Sequence, residues 1–241
     1  PKDRYHLHII LYINEVTDEL TPTLADVFPD LAIVHIQDQT KNGGLTGTWN
    51  QGIDWCLDPA RACDLVVLSN DDLFVMSTFV HLLDEASACQ PTDSIQSYFG
   101  PITNNPGPSL LNQWQHGLAP VPSESTSRLH ASQLRALNGF LMVFPSHVLK
   151  LNKYDKTHYF DPKKPFGGNE VEWAERFFAK SPLHRAVVVP QTFVYHVKLQ
   201  QWKPSSDRTI HYSTHTCAYT INTGGYESRI LLHDHLLDMP V

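Results

Sequence analysis

Three stretches of the chain hold residue types that could do chemistry together. The first is "DLVVLSNDDLFV" (64–75), where an apolar, β-branched run stops at Asn70-Asp71-Asp72 and then turns apolar again. Adjacent carboxylates repel, and their desolvation is costly unless a positive charge compensates them. A solvated turn would account for them, and so would a metal site. The second is "GGNEVEWAERFFAK" (167–180), where Glu170 and Glu172 fall in the first turn of an amphipathic helix. Carboxylates there complement the helix dipole, and one could also act as a general base. The third is "TFVYH" (192–196), which ends a strand on His196, a residue type equally suited to a hydrogen bond or to metal ligation.

Such groups become a site only if the fold gathers them. "YHLHIILYIN" (5–14), "LAIVHIQD" (31–38) and "DLVVLS" (64–69) read as strands. A weak helical pattern over 15–28, with Thr21 and Pro22 as cap and first-turn pair, separates the first two. Helical spacing of Trp49, Ile53 and Cys56/Leu57 marks a helix over 48–58, and "STFVHLLDEASAC" (77–89) reads as a helix capped by Ser77. The order βαβαβα predicts an α/β domain with a mostly parallel central sheet flanked by helices. Ligands of such sheets bind beyond the strands' carboxyl ends, which is where Asn14, Asp38 and Asp71/Asp72 would meet.

Residues 90–135 change character, rich in Pro, Gly, Asn and Ser; they read as shaped loop after a short strand over 95–99. "LNGFLMVFP" (137–145) is a further strand, 146–151 a short helix, 167–180 a helix capped by Asn169, and 185–196 strand material. Past 197 the pattern fades into a His-containing tail, read as a C-terminal extension (199–241) packed on a domain over 1–198, with a nucleotide-binding half (1–90) and a catalytic half (91–198).

"NGGLTGTWNQGIDW" (42–55) carries Gly43, Gly44 and Gly47 ahead of a helix, permitting close backbone approach and favouring an anion at its N-terminus. Its spacing is not the dinucleotide fingerprint. Taken in order, the segments resemble a family: the GT-A-fold, family-2-like glycosyltransferases. The matching elements are Asn42, Gly44, Asn50 and Gly52; Ser69-Asn70-Asp71, followed by Asp72, in place of an Asp-x-Asp motif; Gly168-Asn169-Glu170-Val171-Glu172 as a helix start; and Val194-Tyr195-His196 ending a strand. The resemblance covers about residues 5–198.

The resemblance implies an inverting transfer of sugar from a nucleotide-sugar donor, a UDP-sugar first, to a hydroxyl of a glycan or other acceptor. It assigns a divalent cation, Mn²⁺ before Mg²⁺, to Asp71, Asp72 and His196, neutralising the diphosphate leaving group. It makes Glu170 the general base, ionised at neutral pH, with Glu172 in reserve near the acceptor. Donor contacts fall to Tyr12, Ile13, Asn14, Asp38, Asn42, Gly44, Asn50, Ser69, Asn70, Asn138 and Gly139, with Asp38 accepting from a uracil N3–H. Trp114 would stack on an acceptor sugar or anchor its loop. Ser69 departs from the family, since it carries no charge.

Composition narrows the alternatives. With 41% hydrophobic and 18% charged residues the chain is globular, and 241 residues can bury a sizeable core. A net charge of −7 without a Lys/Arg cluster argues against a nucleic-acid partner. No apolar run is long enough to span a membrane. Cys56, Cys63, Cys89 and Cys217 lack paired spacing, so reduced thiols and a cytoplasmic setting are expected. The chain opens at Pro1, as a fragment or processed protein would. His211, His215 and Cys217, with His233 and His235, could hold zinc, though scattered surface histidines explain them as well. A sugar-nucleotide nucleotidyltransferase would want a Gly-rich basic loop after the first strand, where "INEVTDEL" is acidic. A degenerate domain that only binds carbohydrate is the non-enzymatic alternative, supported by Ser69.

Overall fold

In the computed structural model the chain divides into two compact units, Pro1–Lys198 and Leu199–Val241. The structure describes residues 5–13, 32–35, 43–70, 73–91, 94–103 and 136–196 of the first unit, and 211–212, 218–222 and 227–231 of the second. Asn14, Asp38, Asn42, Asp71, Asp72 and Trp114, and the helix expected over 15–28, lie outside these residues.

Strands β1 (Ile10–Ile13) and β2 (Ala32–His35) pair in parallel, with Ile13 opposite His35, so both end at the same edge. The main sheet has five strands: β3 (Leu65–Ser69), β4 (Leu73–Val75), β5 (Ser97–Thr103), β6 (Leu141–Pro145) and β7 (Arg185–His196), in the order β3-β6-β5-β7-β4. β5 and β7 are parallel, and β3 runs in the same sense. β6 enters antiparallel between β3 and β5, and β4 closes the other edge antiparallel to β7. The sheet is therefore mixed, not mostly parallel. A helical crossover keeps successive strands parallel. β6 instead follows the Pro-rich segment after β5, and only Asn70 to Asp72 separate β3 from β4.

Period-2 alternation sends side chains to two cores. Val66 and Leu68, Tyr98, and Met142 and Phe144 join α1 (Gly44–Leu57), α3 (Ser146–Leu151) and α4 (Asn169–Lys180) on one face. Phe99, and Leu141 and Val143, meet Leu82, Leu83 and Ala86 of α2 (Phe79–Ser87) on the other. β6 is buried on both faces, which explains its unbroken apolar run. β7 breaks the alternation: its register against β5 shifts at Pro101/Ile102, so that Val189 is followed in the ladder by Phe193. Pro190 cannot donate to a ladder, and such a bulge exchanges the two faces. Val187 and Val189 lie with α2 before it; Val194 lies there after it.

Helix starts depart from the expected caps. α1 begins at Gly44, four residues before Thr48, behind Gly43 at φ +82°. α4 begins behind Gly168 at φ +70°, so Gly168 takes the cap position assigned to Asn169. α2 starts at Phe79, and no side chain caps it. The second unit holds an antiparallel sheet of β8 (His211–Tyr212), β9 (Ala218–Asn222) and β10 (Glu227–Leu231), where no strand was expected. His215, Cys217, His233 and His235 lie outside the described residues. Among the described residues no helix is long and apolar enough to cross a membrane.

Candidate active site

The turn Asn138-Gly139-Phe140, leading into β6, is the junction of the site. Asn138 Oδ1 accepts the Phe140 N–H at 3.3 Å and shapes the turn. The Phe140 carbonyl accepts the Asn70 N–H at 2.8 Å, tying the turn to the end of β3. The Phe140 ring stacks on His196, with centroids 5.0 Å apart. Gly139 faces the other way. A Cβ there would lie 3.6 Å from the Glu170 carboxyl carbon and 2.9 Å from the Trp49 ring. One turn of three residues thus touches the ends of β3 and β7 and the start of α4.

Glu170 is brought to Gly139 by the start of α4. Gly167 and Gly168 both take left-handed φ, which swings the chain into the helix, and Asn169 Oδ1 accepts the Glu170 N–H at 3.1 Å. Asn169 is buried, and its amide donates to the Thr46 hydroxyl at 3.0 Å, fixing α4 against α1. Burial pushes the Glu170 carboxyl above the ordinary carboxylate range, against its own N–H and the Lys164 ammonium, which pull it down. Desolvation is the largest of these effects, so the carboxyl holds its proton more tightly than a free one. Glu172 is placed differently. Its carboxylate pairs with Arg176 at 2.9 Å, and the same guanidinium donates to the Asn152 and Tyr159 carbonyls at 2.6 and 2.9 Å.

The N-terminus of α1 is closed by protein. Thr46 N–H donates to the Pro165 carbonyl at 3.3 Å, and the Thr46 hydroxyl donates to the Lys164 carbonyl. A Cβ on Gly44, at φ +65°, would meet Phe166 at 2.6 Å and the Pro165 oxygen at 2.7 Å. Gly44 thus permits a close approach of its own chain, and the Thr46 N–H is not presented to an anion. Asn50 is 5% exposed and likewise committed: its Oδ1 accepts the Tyr159 and Phe160 N–H groups at 2.8 and 2.9 Å, and its Nδ2 donates to the Phe160 carbonyl at 3.1 Å. It holds the loop before α4 to α1. The Tyr12 ring lies over Gly52 of α1, and Ile13 ends β1.

Ser69 ends β3, its hydroxyl donating to the Asn70 carbonyl at 2.8 Å. Among the described residues no three His, Cys, Asp or Glu side chains gather as a metal centre. Leu73, the residue after Asp72, pairs with His196 across β4 and β7, and His196 is 6% exposed. Asp71 and Asp72, which precede Leu73 in the chain, lie outside the described residues.

The sequence reading did not assign Trp49, Thr46, Lys164 or Arg176 to the site. Trp49 was visible at helical spacing as a core residue; the others act through backbone carbonyls of distant loops, which leave no sequence signal.

The fold has a solved counterpart in GalNAc-T7, whose structure holds UDP, GalNAc and Mn²⁺. The TM-score is 0.56 at 14% identity, over 82% of this chain and 38% of that one. The two share a fold. It is a mixed α/β sheet flanked by helices, consistent with the GT-A type, in a chain that spans 38% of the transferase's length. Neither a protein-family model nor a curated protein matches the sequence.

Proposed function

We propose that the chain is a glycosyltransferase that moves a sugar from a UDP-sugar to a hydroxyl of a glycan or other acceptor, with inversion. The observation that carries this reading is the Glu170 carboxyl beside Gly139, desolvated and raised in pKa, on a fold shared with a transferase solved with UDP and Mn²⁺. A carboxylate so raised sits nearer the operating pH, where a general base is most effective. Glu170 takes the acceptor proton as the acceptor oxygen attacks the anomeric carbon. Gly139 lets the turn that carries Asn138 pack closely against Glu170 and Trp49, and this turn faces the donor. Asp38 and the backbone at Tyr12 to Asn14 receive the base; Ser69 and Asn70 line the donor. Asp71, Asp72 and His196 would hold the cation, Mn²⁺ before Mg²⁺, which offsets diphosphate charge when bound. Trp114 contacts the acceptor.

A second reading, a carbohydrate-binding module without catalysis, is favoured by the uncharged Ser69, whose hydroxyl is turned onto its own chain. A thermal-shift panel of UDP, GDP, CDP and dTDP, each with Mn²⁺ or EDTA, separates the two. Ligand at about 100-fold its Kd adds about 2.7 kcal/mol, roughly 5–10 °C for this size. The transferase reading expects a shift with UDP and Mn²⁺ that disappears with EDTA and in Asp71→Ala. No shift with any nucleotide, on folded protein, overturns it in favour of the binding module.

A further inference from the structure

The chain reverses between the end of α1 at Leu57 and the start of β3 at Leu65, and that turn is held from several sides. The Arg61 and Ala62 N–H groups both donate to the Asp58 carbonyl, at 2.9 and 2.8 Å. The Asp58 carboxylate accepts the Ala60 N–H at 2.8 Å and pairs with the Arg61 guanidinium at 3.1 Å. That guanidinium lies 4.1 Å over the Trp55 ring, and Ala62 takes φ +46°, unusual for a residue with a Cβ. The turn closes where the Cys63 N–H donates to the Cys56 carbonyl at 3.1 Å, and the Cys63 carbonyl is in turn held by the Ser146 hydroxyl.

This closure brings two thiols together. Cys56 and Cys63 are both half-buried free thiols, and each lies within the other's electrostatic reach. The Cys63-to-Cys56 backbone hydrogen bond makes the two residues direct neighbours across the turn. Disulfides span Cα separations of about 4.4–6.8 Å. That proximity is what a disulfide between them requires.

We propose that Cys56 and Cys63 form a thiol–disulfide site that closes reversibly against a low-molecular-weight disulfide such as glutathione disulfide. The Cys63 thiolate attacks one sulfur of glutathione disulfide and expels one glutathione thiolate, leaving a mixed disulfide. Cys56 loses its proton to solvent and attacks the Cys63 Sγ, expelling the second glutathione. Two thiol hydrogens and two electrons leave the protein, and two glutathione molecules are formed. Burial, together with the Cys63 thiol, pushes Cys56 up to about 12, while Arg61 pulls it down, so little Cys56 thiolate is present to attack first. The sequence alone pointed to reduced thiols, because the spacing of Cys56 and Cys63 matches no familiar disulfide framework; the turn supplies the proximity.

The test is thiol mapping of the folded full chain, equilibrated in glutathione redox mixtures, alkylated, weighed intact and digested. The expected result is loss of two of the four thiols with loss of two hydrogen atoms, a cross-linked Cys56–Cys63 peptide, and recovery by dithiothreitol. Closure should raise Tm by about 5 °C, because an eight-residue loop is constrained in the unfolded chain. The double variant Cys89→Ala, Cys217→Ala should still close, and Cys63→Ala should not. Retention of four thiols under oxidising mixtures overturns the proposal. So does glutathione adduct without cross-link, or a cross-link from Cys56 or Cys63 to either other cysteine.

Discussion

Gly139 and Glu170 stand so close that a methyl group on the glycine would lie 3.6 Å from the carboxyl carbon and 2.9 Å from the Trp49 ring. The first distance is ordinary contact; the second requires Trp49 to move, and Trp49 is packed edge-on against Phe160 at 5.2 Å. Gly139→Ala should therefore overpack the core by about 1–3 kcal/mol. That corresponds to a fall in Tm of roughly 2–12 °C at this size. Differential scanning calorimetry measures it, and an unchanged Tm would show that Trp49 yields freely.

Glu170→Gln tests the base. It keeps the shape and removes the proton acceptor, so transfer should fall about 10²–10⁴-fold while the fold is retained. In the wild type, activity should rise with pH through the raised Glu170 pKa, placing the acid limb above the ordinary carboxylate range. Stability runs the other way. A carboxyl whose folded pKa exceeds its unfolded one binds more protons when folded, so its contribution is fullest below that window and is lost as pH rises through it. The variant should lack this loss in denaturation curves taken across pH; a variant with the same pH profile as wild type would remove Glu170 from the role.

Glu172 and Arg176 give the contrasting case. Arg176 joins Glu172 to the Asn152 and Tyr159 carbonyls, with both side chains largely buried. Arg176→Ala leaves a carboxylate and two carbonyls without their donor and should cost about 3 kcal/mol. Glu172→Gln should cost less and leave the transfer rate near wild type. A rate collapse in Glu172→Gln on a stable protein would exchange the roles of the two glutamates.

Asn50→Ala separates positioning from donor contact. The substitution strands the Tyr159 and Phe160 N–H groups and the Phe160 carbonyl in a buried setting. An unsatisfied buried group costs about 1–3 kcal/mol, so a fall in Tm of roughly 10 °C is expected. If Tm holds while the UDP-sugar KM rises, Asn50 contacts donor instead.

Much of this was legible along the chain. The unbroken apolar run of Leu141 to Phe144 and the apolar stripe of α4 announced buried elements, and Gly-Gly ahead of Glu170 announced a turn into a helix. These signals are local, carried by periods of 2 and 3.6 residues and by the left-handed conformation that glycine allows. Strand direction was not local. β6 runs antiparallel because of where a distant segment returns, so the βαβ pattern overstated the parallel pairing.

The sequence by itself determined which residues face a core, where strands end, and that Glu170 begins a helix. Only the tertiary structure decided what each polar group does there. Asn50 matched a donor-loop motif, yet its amide is taken by a loop about 110 residues away. Packing desolvates Glu170 and raises its carboxyl pKa, an effect no sequence neighbour announces. The bulge at Pro190 to Thr192 put His196 on the side of Val194 and Phe140. Periodicity is a property of neighbours in sequence; desolvation, hydrogen-bond partners and register belong to neighbours in space, and those are set only when the chain closes on itself.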